Sequence, residues 1–140
     1  PPPLHNTLSL HDALPICLSS GYMRKGPVEV AKSGLDGEVL KGKLIHLRDA
    51  CSDGRFQYPE SAKAEGLVSV LSAPLMVNGK AIGILRVYSS EERDFTPDEC
   101  DFMLGVANIS AIAIENARMH EATRLNYELL TSYNYQVFED

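Results

Sequence analysis

The stretch LVSVLSAPLMVNGKAIGILRVYSSEERDFTPDE, residues Leu67–Glu99, decides the reading of this chain. It holds two apolar runs, an Asn-Gly between them and a Thr-Pro-Asp-Glu at its end. Asn78-Gly79 tolerates positive φ at both central positions of a type I′ turn, whose twist suits a two-strand ribbon. The runs Val68–Val77 and Lys80–Tyr88 are therefore expected to form a β-hairpin. Neither run alternates cleanly. Val68, Val70 and Met76 share one parity, while Leu71, Ala73, Leu75 and Val77 share the other. Strands of this kind are covered on both faces. Pro74 has no N–H for a ladder, so a bulge or break is expected beside it.

C-terminal to the hairpin, Thr96 stands at an N-cap, Pro97 at N1 and Glu99 at N3, which is a capping box. Phe95 is placed to staple onto the first turn. Phe102, Met103, Val106, Ser110, Ala113, Ile114 and Ala117 then follow at 3.6-residue spacing and predict a core-facing stripe. The helical pattern runs to about Leu130 and turns polar past Glu121. The far end reads either as a solvated helix or as a projecting helix that pairs with another chain. Its heptads are poor for a coiled coil.

N-terminal to the hairpin, Cys17–Met23 reads as a short strand and Gly26-Pro27 as a loop. Ser33 and Gly42 bracket one or two helical turns containing Leu35, Val39 and Leu40. Lys43–Asp49 reads as a strand. Pro59 at N1 and the stop at Gly66 mark a short helix.

The chain has 140 residues, enough for one domain with its own core. A net charge of -6 and the absence of a Lys/Arg cluster argue against nucleic acid and anionic lipid as partners. No stretch approaches the roughly 18 apolar residues of a membrane span. Cys17, Cys51 and Cys100 are few and widely spaced, which fits a reducing cytoplasm rather than a disulfide framework. No metal spacing is present, and no metal or cofactor is expected.

PPPLHNTLSLHDALPI (Pro1–Ile16) differs from the rest, with three leading prolines and no helix or strand period. TLSLHDALPI resembles translated sequencing-adapter read-through; a natural disordered linker is the other reading. Such segments are set aside before fold reasoning. The expected organisation is a non-native or disordered segment at 1–16, a domain at 17–125 and a helical extension or tail at 126–140.

Four motifs in order, Ser69–Leu75 (SVLSAPL), Asn78–Leu85 (NGKAIGIL), Phe95–Glu99 (FTPDE) and Ala111–Arg118 (AIAIENAR), resemble the second half of a GAF domain. The resemblance extends back through DGRFQYP and SGLDGEVLKGK and covers about residues 18 to 125. It implies an α+β fold. A central antiparallel sheet carries the long C-terminal helix on one face and short helices and loops on the other, enclosing a small-molecule pocket. The first helix and first strand of the family have no counterpart here, so a truncated domain is expected. The Lys80–Tyr88 strand should then show an unpaired edge, or pair with something drawn from Leu4–Ile16.

The resemblance further implies a cytoplasmic bacterial sensory module, a fragment of a histidine kinase or similar regulator. An unidentified small molecule would bind, and the C-terminal helix would carry the effect to an output domain or partner kinase outside this chain. The alternative is a ligand-free platform that forms a homodimer through that helix. No enzymatic activity is expected. Some GAF proteins reduce free methionine sulfoxide with grouped cysteines, but these three are scattered, and Cys100 sits on a core-facing turn. The Asn-Lys half of the cyclic-nucleotide signature is missing, and Asp98-Glu99 is explained by capping. His46 and His120 lack metal spacing. The expected pocket lies between the Leu35–Leu40 helix, the Asp49–Tyr58 loop and the hairpin, lined by Asp49, Arg55, Phe56, Tyr58 and Ser69. Arg55 would meet a carboxylate or phosphate; in its plainer role it forms a surface salt bridge.

Overall fold

The computed structural model describes residues 16–24 and 33–137, with side chains to residue 133. In chain order these form α1 (Ser20–Met23), α2 (Gly34–Leu40), β1 (Ile45–Leu47), α3 (Pro59–Glu65), β2 (Ser69–Val77), β3 (Lys80–Ser89) and α4 (Pro97–Val137). The strands make one antiparallel sheet in the order β1-β2-β3.

The hairpin forms where the Asn-Gly places it. Asn78 has φ 50° and Gly79 φ 77°, the left-handed pair that a type I′ turn requires. The β2–β3 ladder runs from Ser69 opposite Ser89 to Val77 opposite Lys80. Its register slips between Leu75 and Met76, one residue beyond the expected site at Pro74.

Every residue of β2 from Ser69 to Leu75 is buried, because each face of the sheet has its own cover. On one face Val70 joins Tyr22, Leu35, Val39, Leu47, Phe56 and Ala62, drawn from α1, α2, β1, α3 and the loops. On the other, Leu71, Ala73 and Leu75 pack against Met103, Ala107 and Ala111 of α4. Among the described residues β3 is an edge strand of the sheet, with no neighbour beyond it, and it lacks the two-sided cover expected of it: Val87 is 42% exposed. Pairing with residues 4–15 lies outside the described residues. Ile16, the last residue of that proposed partner, is exposed.

The capping chemistry explains the short elements. Ser33 Oγ accepts the Asp36 N–H at 3.2 Å and starts α2. Gly42, at φ 94°, follows its end. α3 opens on Pro59 and closes on Gly66 in the left-handed conformation. α4 begins with the reciprocal Thr96–Glu99 box.

Three expectations need correction. Cys17–Met23 contains a helical turn, not a strand: Ser19 Oγ accepts the Tyr22 N–H at 3.1 Å and caps α1. With no β-branched residue in the segment, this local cap wins over extension. The core face of α4 is Met103, Ala107 and Ala111; of the predicted stripe only Met103 is buried, Ser110 is half-buried and Phe102 is 74% exposed. Val106, Ala113, Ile114 and Ala117 are exposed as well. The small Ala107 and Ala111 let the helix backbone approach the sheet, whereas Phe102 or Val106 turned to that seam would hold it off. Finally, α4 runs through residue 125 to Val137 without a break, past the end expected near Leu130.

Candidate functional site

The face of the sheet under α2 carries the polar residues. Along β3, Ile84, Arg86 and Tyr88 alternate with Leu85 and Val87, so Arg86 points away from α4. There its Nε donates to Ser72 Oγ of β2 at 3.0 Å. Its Nη2 donates to Asp36 Oδ1 of α2, forming an ion pair across the layer. The two side chains are only 16% and 3% exposed. The Arg86 guanidinium also lies 5.8 Å from the centre of the Phe56 ring. Tyr22 of α1 meets Tyr88 edge-on, with ring centres 6.0 Å apart and hydroxyls at 3.3 Å. Burial, reinforced by Tyr88, pushes the Tyr22 phenol above its ordinary range.

These residues enclose a small cavity. Tyr22, Ser33, Asp36, Phe56, Tyr58 and Arg86 line it, and it holds about 10 Å³. That is room for about one water molecule, far short of the few hundred cubic ångströms expected of a ligand chamber. On the α4 face, a more open apolar groove of about 530 Å³ runs between β3 and the first turns of α4. Leu85, Val87, Phe102 and Val106 line it, together with Arg93 and Glu99.

Of the residues expected to line a pocket, Phe56 and Tyr58 border the small cavity. The other three are engaged elsewhere. Arg55 is exposed and forms a two-point pair with Asp53, at 3.0 and 2.7 Å. Asp49 accepts the Cys51 N–H at 2.9 Å and shapes its own loop. Ser69 is buried on β2 and ties together the backbone of Arg48, Glu91 and Arg93. Sequence reasoning passed over Asp36, Arg86, Tyr22 and Tyr88. The parity of β3 was the available signal: Arg86 shares a face with Ile84 and Tyr88, and an arginine on a covered face needs an acceptor there.

Cys51 packs into the core under α2, and Cys100 into the core under α4, on opposite faces of the sheet. Burial, with Asp49 nearby, pushes the Cys51 thiol up, away from the thiolate that a nucleophile needs. His46 Nε2 lies 3.1 Å from the Arg93 carbonyl, and its ring meets Phe95 edge-on at 5.1 Å. Among the described residues no three His, Cys, Asp or Glu side chains converge to hold a metal ion. None of their helices is long and apolar enough to cross a membrane. The small cavity brings together a guanidinium, a carboxylate and aromatic walls.

The GAF domain family model matches residues 8–114, and the chain belongs to that family. The match begins nearer the N-terminus than residue 18 and stops short of residue 125. A domain attributed to a two-component sensor histidine kinase from Sinorhizobium meliloti 1021 superposes with a TM-score of 0.63 at 22% identity. That superposition covers 77% of this chain and 70% of the other. A GAF/HD domain protein from Geobacter sulfurreducens gives a TM-score of 0.60 at 19% identity, covering 69% of this chain and 64% of that one. The GAF domain of a phosphoenolpyruvate-protein phosphotransferase from Coxiella burnetii gives 0.61 at 23%, covering 70% and 58%. The chain thus spans less than two thirds of the Geobacter and Coxiella structures. No curated protein matches. At these identities the superpositions speak for the fold, α+β and GAF-like.

Proposed function

We propose that this chain is a cytoplasmic small-molecule sensory module of a bacterial signalling protein, a histidine kinase or similar regulator, and that it has no catalytic role. The observation that carries this reading is the continuity of α4. One helix is seated against β2 at its start and runs on to Val137. A ligand that favours one arrangement of α2 and the Asp49–Tyr58 loop shifts the sheet, and α4 delivers the bias to an output domain or a paired subunit. The cavity holds about 10 Å³, so ligand entry requires α2 and that loop to part. The scattered cysteines and the raised Cys51 thiol weigh against a thiol-dependent reductase. The test is a thermal-shift screen against metabolites, followed by hydrogen exchange with each hit. A true effector raises Tm and changes exchange in both α2 and α4. A screen without hits, or hits that leave α4 untouched, overturns the reading.

The second reading is a ligand-free interaction domain that dimerises through α4. The nearly filled cavity favours it, as do the exposed Phe102, Ile109, Ile112, Met119, Leu129 and Leu130 of that helix. Sedimentation decides it. A dimer that dissociates on replacing Ile109 and Ile112 with Lys supports this reading, and a monomer at all concentrations removes it.

A further inference from the structure

We propose that the Arg86 guanidinium anchors a small carboxylate, which binds by taking the place of the Asp36 side chain. This rests on the sensory reading above and names the chemical class of its ligand. The site already holds a carboxylate, that of Asp36, received by a buried Arg86 whose Nε is fixed on Ser72 Oγ at 3.0 Å. A planar guanidinium with five donors matches a planar carboxylate in two-point geometry and suits a tetrahedral or neutral group less well. Phe56, Tyr22 and Tyr58 supply walls for a short hydrocarbon attached to it. When Asp36 swings out, the space it leaves joins the existing cavity.

The tethering of the occupant makes this a site rather than a simple brace. Leu35 and Val39, both fully buried, already hold α2 to the core. A buried ion pair adds little net stability over apolar packing of the same volume. What the pair does provide is a contact between α2 and β3 that one chemical class of solute can replace. Asp36 competes with that solute, so the apparent affinity of the intact protein is reduced by the fraction of time the latch is closed.

The experiment is an NMR titration of the whole chain with acetate and with propionate, against sodium chloride and sodium phosphate at matched ionic strength and pH 7. Amide signals of residues 34–40 and the Arg86 Nε–H are followed. The expected result is saturable shifts with the carboxylates and none with chloride. Apparent affinity should be at least tenfold tighter in Asp36→Ala, and binding should be lost in Arg86→Met. Should Asp36→Ala fail to fold, Asp36→Asn carries the same expectation, since it removes the competing charge while keeping the shape. The proposal is overturned by shifts no larger than those with chloride, by phosphate binding in preference to carboxylate, by weaker binding in the Asp36 variant, or by undiminished binding in Arg86→Met. If a neutral metabolite from the thermal screen binds and moves α4 while carboxylates do not bind, the sensory reading stands and this one falls.

Discussion

Thr96 and Glu99 cap one another. The Glu99 N–H donates to Thr96 Oγ1 at 3.2 Å, and the Thr96 N–H donates to Glu99 Oε2 at 2.8 Å. The Arg93 guanidinium closes on the same carboxylate. The Thr96 amide and then Arg93 hold the Glu99 carboxyl below the usual carboxylate range. Its contribution to stability is therefore complete above the unfolded value, about pH 4.3, and drains away as pH falls through the lower folded value. Urea melts between pH 3 and 7 should show this loss in the wild type and a smaller one in Glu99→Gln. Thr96→Ala should cost about 1 kcal/mol at pH 7.

Ser69 should behave as a structural residue. Its hydroxyl accepts the Arg93 N–H at 2.9 Å and faces the Arg48 and Glu91 carbonyls at 2.6 and 2.8 Å. In Ser69→Ala these half-buried backbone groups lose their partner, at a cost of about 1 kcal/mol. Chemical denaturation measures the loss. An unchanged midpoint would return Ser69 to the candidate ligand contacts.

The two faces of α4 should respond in opposite ways. Ala107 is fully buried against the sheet, and Ala107→Leu forces the helix outward, at a cost of about 1–3 kcal/mol or more. Ile109 is 72% exposed, and Ile109→Ala should change monomer stability by less than about 0.5 kcal/mol. Equal losses from the two substitutions, measured in dilute solution, would place the core face elsewhere.

At Gly79 the cost is one of backbone conformation alone. No atom lies within 4 Å of a Cβ built there, yet φ is 77°. Gly79→Ala should lose about 1–2 kcal/mol, and Gly79→Asn should recover part of it, because asparagine visits the left-handed region more readily. Comparing the two urea midpoints separates strain from crowding.

The legible parts of the sequence were those set by local chemistry. Asn78-Gly79, Thr96–Glu99, Ser33 with Gly42, and Pro59 with Gly66 each specify a turn or helix end through their own backbone preferences, and each appears where expected. The two-sided cover of β2 was legible because neither parity of its run was polar. The face of α4 was legible only at Met103, because apolar residues encircle that helix and the sheet rather than the pattern selects which ones are buried. Ser19 hid the α1 turn, since one hydroxyl decides it. The site was read only in part. Phe56 and Tyr58 lie in a loop that the resemblance brings to the pocket. Asp36 and Arg86 stand 50 positions apart and meet only through the fold.

The length of α4 has a mechanical consequence. Its core contacts end at Ala111, and no glycine or proline interrupts it from there to Val137. At 1.5 Å per residue the free arm is about 39 Å long. A rotation of about 5° at the seated end therefore sweeps the tip through about 3 Å, the width of a side-chain contact. Displacements in the sheet too slight to break any strand pairing are thereby magnified at Val137 into steps large enough to exchange one set of neighbours for another.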